Sequence, residues 1–310
     1  MCILMATTSH PDYDLILISN RDEFFARETG CTRWVDNDFV LCPTDDALVN
    51  HDGYTCGTWF GINRDGKLAT VLNLKLLDQP AVVVGQHSLK SRGILPISYL
   101  SKRQSSFSNW DNFAKFNNQY PHLADTGSFN LFYGDCITGD YRIIDSLGNT
   151  FGVLNRDTKD DFMVLSNDVY QNGESQNTWG KVKLGKDGLR ELVSASRNES
   201  ERSLIANCFA LASRCSVDTK QRNGSEITYS IDTTMNTIFT PPLKVPSSDD
   251  LGCSMPYGDY YGTRSQIVLL IRRGLNHVKC IERTLHSSDS DCNTYGASNP
   301  KATQEFDFTL

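Results

Sequence analysis

A cysteine stands at position 2, directly behind Met1. Cysteine is small, so removal of the initiator Met is expected, and it would bare an α-amine on the residue that carries the thiol. A free α-amine has a reference pKa of roughly 7.7–8.0, well matched to taking a proton from a neighbouring thiol near neutral pH. One residue would then supply both nucleophile and base. The plainer reading of Cys2 is a buried apolar residue opening a strand. The run Asn20-Arg21-Asp22-Glu23-Phe24 shifts the weight toward chemistry. At the far end of a hairpin it would lie beside the N-terminus. Asp22 would hold the α-ammonium, and Arg21 would favour the thiolate, as nearby cations do. The plainer reading of this run is a solvated turn with an Arg–Asp pair.

The elements that must position these residues read as follows. Cys2 to Thr7 is a short strand broken by His10-Pro11-Asp12, and Leu15 to Ser19 is its hairpin partner, ending in residues 20–23. Residues 24–55 read as irregular loop. Thr58–Ile62 and Leu68–Asn73 are strands joined across Asp65-Gly66, a hairpin signal. Ser88–Leu100 and Phe107–Phe116 have helical spacing. Phe129–Tyr133, Tyr141–Ile144 and Phe162–Leu165 read as strands, Lys181–Leu192 and Ser203–Ser213 as helices. Residues 214–258 are polar and carry Pro241, Pro242 and Pro246, which suggests a loop or insertion. Gln266–Ile271, Val278–Arg283 and Phe306–Leu310 return to strand. Strands gathered in blocks argue against alternating βαβ units. The expected class is α+β, with two antiparallel sheets sandwiched by helices in a single domain over residues 1–310.

Further motifs follow in order: Cys56-Gly-Thr-Trp-Phe-Gly-Ile62, Phe129-Asn130-Leu131, Leu165-Ser166-Asn167, Thr178-Trp179, Tyr261-Gly262-Thr263-Arg264 and Glu305-Phe-Asp-Phe-Thr-Leu310. With Met1-Cys2 and residues 20–24, they resemble the NRDE family, also called the transport and Golgi organisation family, and most resemble a fungal member. The resemblance implies the four-layer αββα architecture of N-terminal-nucleophile hydrolases. It is weakest over residues 214–258. A more distant similarity, to conjugated-bile-acid hydrolases and penicillin V acylases, implies a site made of Cys2, Arg21, Asp22, Asn73, Asn167 and Arg264. In that set the Asn73 backbone and the Asn167 side chain would donate to an oxyanion. Arg264 would steady the thiolate or an acidic substrate. One departure stands out: Arg21 and Asp22 are adjacent, where the acylases separate the two by two residues. Neighbours on a strand point to opposite faces, so either Glu23 takes one role or the machinery is altered. Glu23, Trp59, Phe60 and Trp179 are expected to touch substrate.

The bulk properties narrow the function. The 310 residues carry a net charge of -7 with no long basic run, which disfavours nucleic acid as a partner. No stretch approaches the roughly 20 apolar residues of a membrane helix. Nothing near the start reads as a signal or matrix-targeting peptide. The expectation is a cytoplasmic protein, with association at mitochondria or Golgi left open. None of the 10 cysteines forms a CxxC, so they are expected to be free thiols, and no metal site is expected. The family implies lipid or acyl-CoA homeostasis, Golgi organisation or haem mobilisation, with acyl-CoA, a lipid or haem as the small ligand. No cofactor is required; haem would be a cargo, and Cys42-Pro43 is one thiolate it could use. The alternative is an active cysteine amidohydrolase or thioesterase that cleaves an amide or an acyl thioester through Cys2.

Overall fold

The computed structural model describes residues 1–46, 57–75, 91–101, 113–119, 126–158, 161–170, 179–217, 226–245 and 258–310. Strands β1 (Ile3–Thr7) and β2 (Tyr13–Phe24) form the opening hairpin. Then come β3 (Thr29–Val35), β4 (Val40–Asp45), β5 (Phe60–Asn63) and β6 (Lys67–Asn73). Helices α1 (Ile94–Leu100) and α2 (Phe113–Gln119) precede β7 (Phe129–Asp135), β8 (Asp140–Asp145), β9 (Thr150–Asn155) and β10 (Phe162–Leu165). Helices α3 (Gly180–Ala195) and α4 (Glu201–Ala212) follow. The rest is β11 (Ile227–Thr228), α5 (Ile231–Met235), β12 (Leu243–Lys244), β13 (Tyr260–Arg272), β14 (His277–Thr284) and β15 (Ala302–Thr309).

Two sheets result. The first is eight-stranded in the order β10-β1-β2-β13-β12-β11, with β14 on β13 and β15 on β14. The second is seven-stranded and keeps chain order, β3 through β9. Only the short β11–β12 pair is parallel among the described pairings. Side chains alternate faces along each strand, and the burial follows that period. Leu4, Leu15 and Leu17 meet Phe60 and Phe132 between the sheets. On the other face of the first sheet, Ile3, Met5, Ile16 and Ile18 meet Leu189 and Leu192 of α3 and Phe209 of α4. The outer face of the second sheet packs Ala69 and Leu131 against Ile97 of α1 and Phe116 of α2. The layer order is therefore helix, sheet, sheet, helix, as expected.

The structure departs from the sequence reading in three places. β2 does not stop at residue 19; it runs through Phe24, because β13 pairs with it from Tyr13 to Phe24. Residues 24–55 are not all loop: β3 and β4 lie there, joined by Asp36, Asn37 and Asp38, all with φ near +55°. Asp and Asn tolerate that left-handed region, and their density disguised a hairpin as a loop. β9 was also missed, since its half-exposed residues and Gly152 give little apolar alternation. Within 214–258 the described residues include β11, α5 and β12; residues 218–225 and 246–257 lie outside the description. Residues 88–90 and 107–112 of the two expected middle helices also lie outside it.

Asn20 ties the first sheet to its helices. It is fully buried, and its Nδ2 donates to the Ala212 carbonyl (2.7 Å) and the Ile238 carbonyl (3.0 Å). Ala212 ends α4, so one bond satisfies a carbonyl that the helix leaves open. Asn20→Ala strands both acceptors in a dry layer, at a cost of about 2–3 kcal/mol. The expected result is a lower urea midpoint with an unchanged slope; an unaltered midpoint would show that water replaces the amide.

Candidate functional site at Cys2

Strand register decides which groups meet. The ladders pair Ile3 with Asn20 and Leu4 with Leu165. Continued by one and two steps, the first ladder brings Cys2 level with Arg21 and Met1 level with Asp22; continued by two steps, the second brings Cys2 level with Asn167. The alternation of β1 and β2 then separates two rows. Cys2, Arg21 and Asn167 share the face toward the second sheet. Met1 and Asp22 share the face toward the helices.

On the helix side, Asp22 is a buried carboxylate with a full set of donors. Oδ2 accepts from the Met1 amine (2.9 Å) and from Thr240 Oγ1 (2.7 Å). Oδ1 accepts from Thr263 Oγ1 (2.7 Å). Lys181 Nζ lies 3.7 Å from Oδ2 and donates to the Met1 carbonyl. The Met1 amine also donates to the Tyr261 hydroxyl. Two buried cations thus face one carboxylate. Burial pushes the Met1 amine below its usual value, with Asp22 opposing. Burial does the same to Lys181, again against Asp22. The Tyr261 hydroxyl is pushed well up by burial and then by the Asp22 charge.

On the inter-sheet side, Cys2 Sγ donates to the Asp22 carbonyl at 3.7 Å, and Ser166 Oγ donates to the Cys2 carbonyl at 2.8 Å. Burial raises the thiol pKa, opposed by the nearby amine, so the thiol is held protonated. Arg21 lies 4.2 Å from the Trp59 ring centroid and 3.4 Å from Glu23 Oε2. Arg27 lies 3.8 Å from Glu23 and 2.9 Å from Asp45. Arg264 is the extra residue where the β2–β13 register shifts between Thr263 and Ser265. A bulge re-aims a side chain in this way. Its guanidinium donates to the His286 carbonyl (3.0 Å) and to Thr29 Oγ1, and no carboxylate pairs with it among the described residues. Burial, then the Arg21 charge, lowers it to about 10. Glu282, buried nearby, accepts from the Thr32 amide, and burial raises its carboxyl despite Arg21 and Arg264.

The sequence-derived residues therefore divide. Cys2, Arg21, Glu23, Asn167, Arg264 and Trp59 gather at one end of the inter-sheet layer. Asp22 lies on the opposite face of the first sheet, as its adjacency to Arg21 required. Asn73 ends β6, and its carbonyl accepts from Asn167 Nδ2 (2.6 Å) while Lys75 N donates to the Asn167 carbonyl (2.7 Å). Asn167 thus bridges the ends of the two sheets. Phe60 is packed in the inter-sheet core, Trp179 is buried at the start of α3, and Cys42 is buried against α1. Sequence reasoning missed Lys181, Tyr261, Thr240 and Thr263. Lys181 did leave a signal: it shares the buried stripe of α3 with Gly185, Gly188, Leu189 and Leu192, at the spacing of one helix face.

Lys181 binds its proton less tightly folded than unfolded. Between its depressed folded value and 10.5 the unfolded chain holds the extra proton, so this group adds stability as pH rises. Lys181→Met removes that gain. The wild-type-minus-mutant unfolding free energy, from urea titrations at increasing pH up to about 10.5, is expected to increase with pH; a flat or falling difference would overturn the assignment.

Two solved structures align along essentially the whole chain. A variant of conjugated bile acid hydrolase from Clostridium perfringens has TM-score 0.41 at 10% identity, covering 100% of this chain and 98% of that one. The Caenorhabditis elegans N-acylethanolamine-hydrolyzing acid amidase ortholog has TM-score 0.39 at 12% identity, covering 99% and 100%. Among sequences, the uncharacterized protein YGR127W of Saccharomyces cerevisiae is 48% identical over 317 residues, covering 100% of both chains. The transport and Golgi organization protein 2 homolog of Bos taurus is 28% identical over 297 residues, covering 93% of this chain and 95% of its own. The family model described as Transport and Golgi organisation 2 matches residues 1–287, and the chain belongs to that family.

Proposed function

We propose that this protein holds one small acidic ligand at the charged end of its inter-sheet layer, in intracellular lipid or acyl-CoA homeostasis or in haem mobilisation. The observation that carries this reading is the separation of thiol and amine onto opposite faces of the first sheet. While Met1 is attached, the Cys2 nitrogen is a peptide nitrogen and is no base. The carboxylate on the thiol's own face, Glu23, is engaged by Arg21 and Arg27. A protonated thiol without a base suits holding a ligand better than turning one over. Arg264, lacking a carboxylate partner among the described residues, supplies the charge that an acyl-CoA phosphate or a haem carboxylate would meet. Trp59 adds an apolar wall beside Arg21.

The row Arg21–Cys2–Asn167 favours a second reading. With Met1 removed, Cys2 would carry both amine and thiol. Sγ would attack an amide or thioester carbonyl, the amine or thiol would leave, and water would release the acyl group. Asp22 would then be free to hold the new amine. Among the described residues, no helix is long and apolar enough to cross a membrane.

Intact mass and turnover separate the readings. The carrier reading expects acyl-CoA or haem to bind without being consumed. Loss of Met1, together with hydrolysis of an acyl amide or acyl-CoA ester that Cys2→Ala abolishes, would replace the carrier by the enzyme. The protonated thiol also sets an alkylation rate. Cys2 is expected to react with iodoacetamide more slowly at pH 7 than a free cysteine peptide, read by peptide mass mapping; an equal rate would mean that the fold does not hold the thiol protonated.

A further inference from the structure

A second concave site lies on the helix side of the first sheet, apart from Cys2. It is a groove of about 720 Å³ between α4, the segment before β12 and the stretch 292–298. Phe209 and Ala210 of α4 form one apolar wall, and Phe239, Pro241 and Pro242 form the other. Such a volume lies within the ~300–1,000 Å³ of small-molecule sites. Arg283 of β14 also lines it. Along β14, Ile281 packs into the helix layer while Cys280 packs between the sheets. Arg283 therefore shares the face of Ile281, opposite that of Cys2.

Arg283 is half-buried, with its guanidinium 3.7 Å from the Phe209 ring centroid. No carboxylate pairs with it among the described residues. Among the described residues burial is the cause that lowers its pKa. Gln266, opposite Arg283 in the ladder, is fully buried. Its Nε2 donates to Ser213 Oγ, a groove-lining hydroxyl, at 3.3 Å, and its Oε1 has no partner. A half-desolvated guanidinium stacked on an aromatic ring, without a counter-charge, is an anion site with an apolar floor.

We propose that this groove binds a small amphipathic anion, with its acid group on Arg283 and its apolar body against Phe209, Phe239 and Pro241. A carboxylate or a phosphate monoester would present two oxygens to the guanidinium fork. The site is separate from the inter-sheet reading: the side chains that would hold the anion are not those gathered on the Cys2 face, and His286, which lines the groove, hydrogen-bonds to Arg264 through its backbone.

Anilinonaphthalene sulfonate, an aromatic monoanion, is the probe, titrated by fluorescence against the folded full chain. One saturable site is expected. Hexanoate and hexyl phosphate should displace the dye, their order telling carboxylate from phosphate, and hexanol should not. Arg283→Gln is expected to weaken the dye at least ~10-fold, about 1.4 kcal/mol. Arg283→Lys should fall between, keeping the charge and losing the fork, and Ala210→Trp should fill the groove and abolish the site. Circular dichroism checks that each variant folds; where Ala210→Trp does not, the two Arg283 variants decide. Cys2→Ala should leave dye binding unchanged, so failure here and failure of the inter-sheet reading are distinguishable. No saturable binding, equal affinity in wild type and Arg283→Gln, or displacement by hexanol would overturn the proposal.

Discussion

Asp22 is a buried carboxylate, and one end of the molecule is organised by its need for donors. Thr240, Thr263, Lys181 and the Met1 amine all converge on it. Each comes from a different segment: the stretch before β12, β13, α3 and the start of the chain. Removing a charge of this kind from water costs several kcal/mol unless its lone pairs are satisfied. Those segments are therefore held in one arrangement or the site is lost. Two of the donors are themselves buried cations, and burial lowers the pKa of both.

The pairing of β2 with β13 carries the same constraint to the other face. Because β2 remains a strand through Phe24, Arg21 and Glu23 must point away from Asp22. They enter the inter-sheet layer, where Arg27, Asp45, Arg264 and Glu282 join them. The bulge at Arg264 is what adds a second guanidinium there without breaking the β13 ladder beyond it. Asn167 closes this end by tying β10 to the end of β6. Cys2 lies between the two arrangements: its peptide belongs to the Asp22 side and its thiol to the arginine side.

This division bears on what can happen at Cys2. The residues expected of a nucleophile site are present, but the strand period sends them to two compartments. Chemistry at Cys2 then depends on whether its own nitrogen becomes an amine, since the Met1 amine is on the wrong face to serve the thiol. The groove at Arg283 lies on yet another surface, behind β14 and α4, and widens the range of ligands the fold could serve at once.

Much of the frame was legible from residue order. The hairpin at Asp65-Gly66, the apolar β13 core, α3 and α4 all follow from local periodicity and turn chemistry, which need no distant partner. The adjacency of Arg21 and Asp22 was enough to require opposite faces. The hairpin of β3 and β4 was hidden because its turn consists of the Asp and Asn residues that ordinarily mark loops. Lys181 was hidden because a lysine in an amphipathic helix usually faces water; only the packing of α3 on β1 and β10 buries it beside Asp22. The sequence by itself determined the strand alternation, and with it which side chains could never share a face. Only the tertiary structure decided which of those faces met a charge, a helix or the second sheet, because that depends on register between segments more than a hundred residues apart.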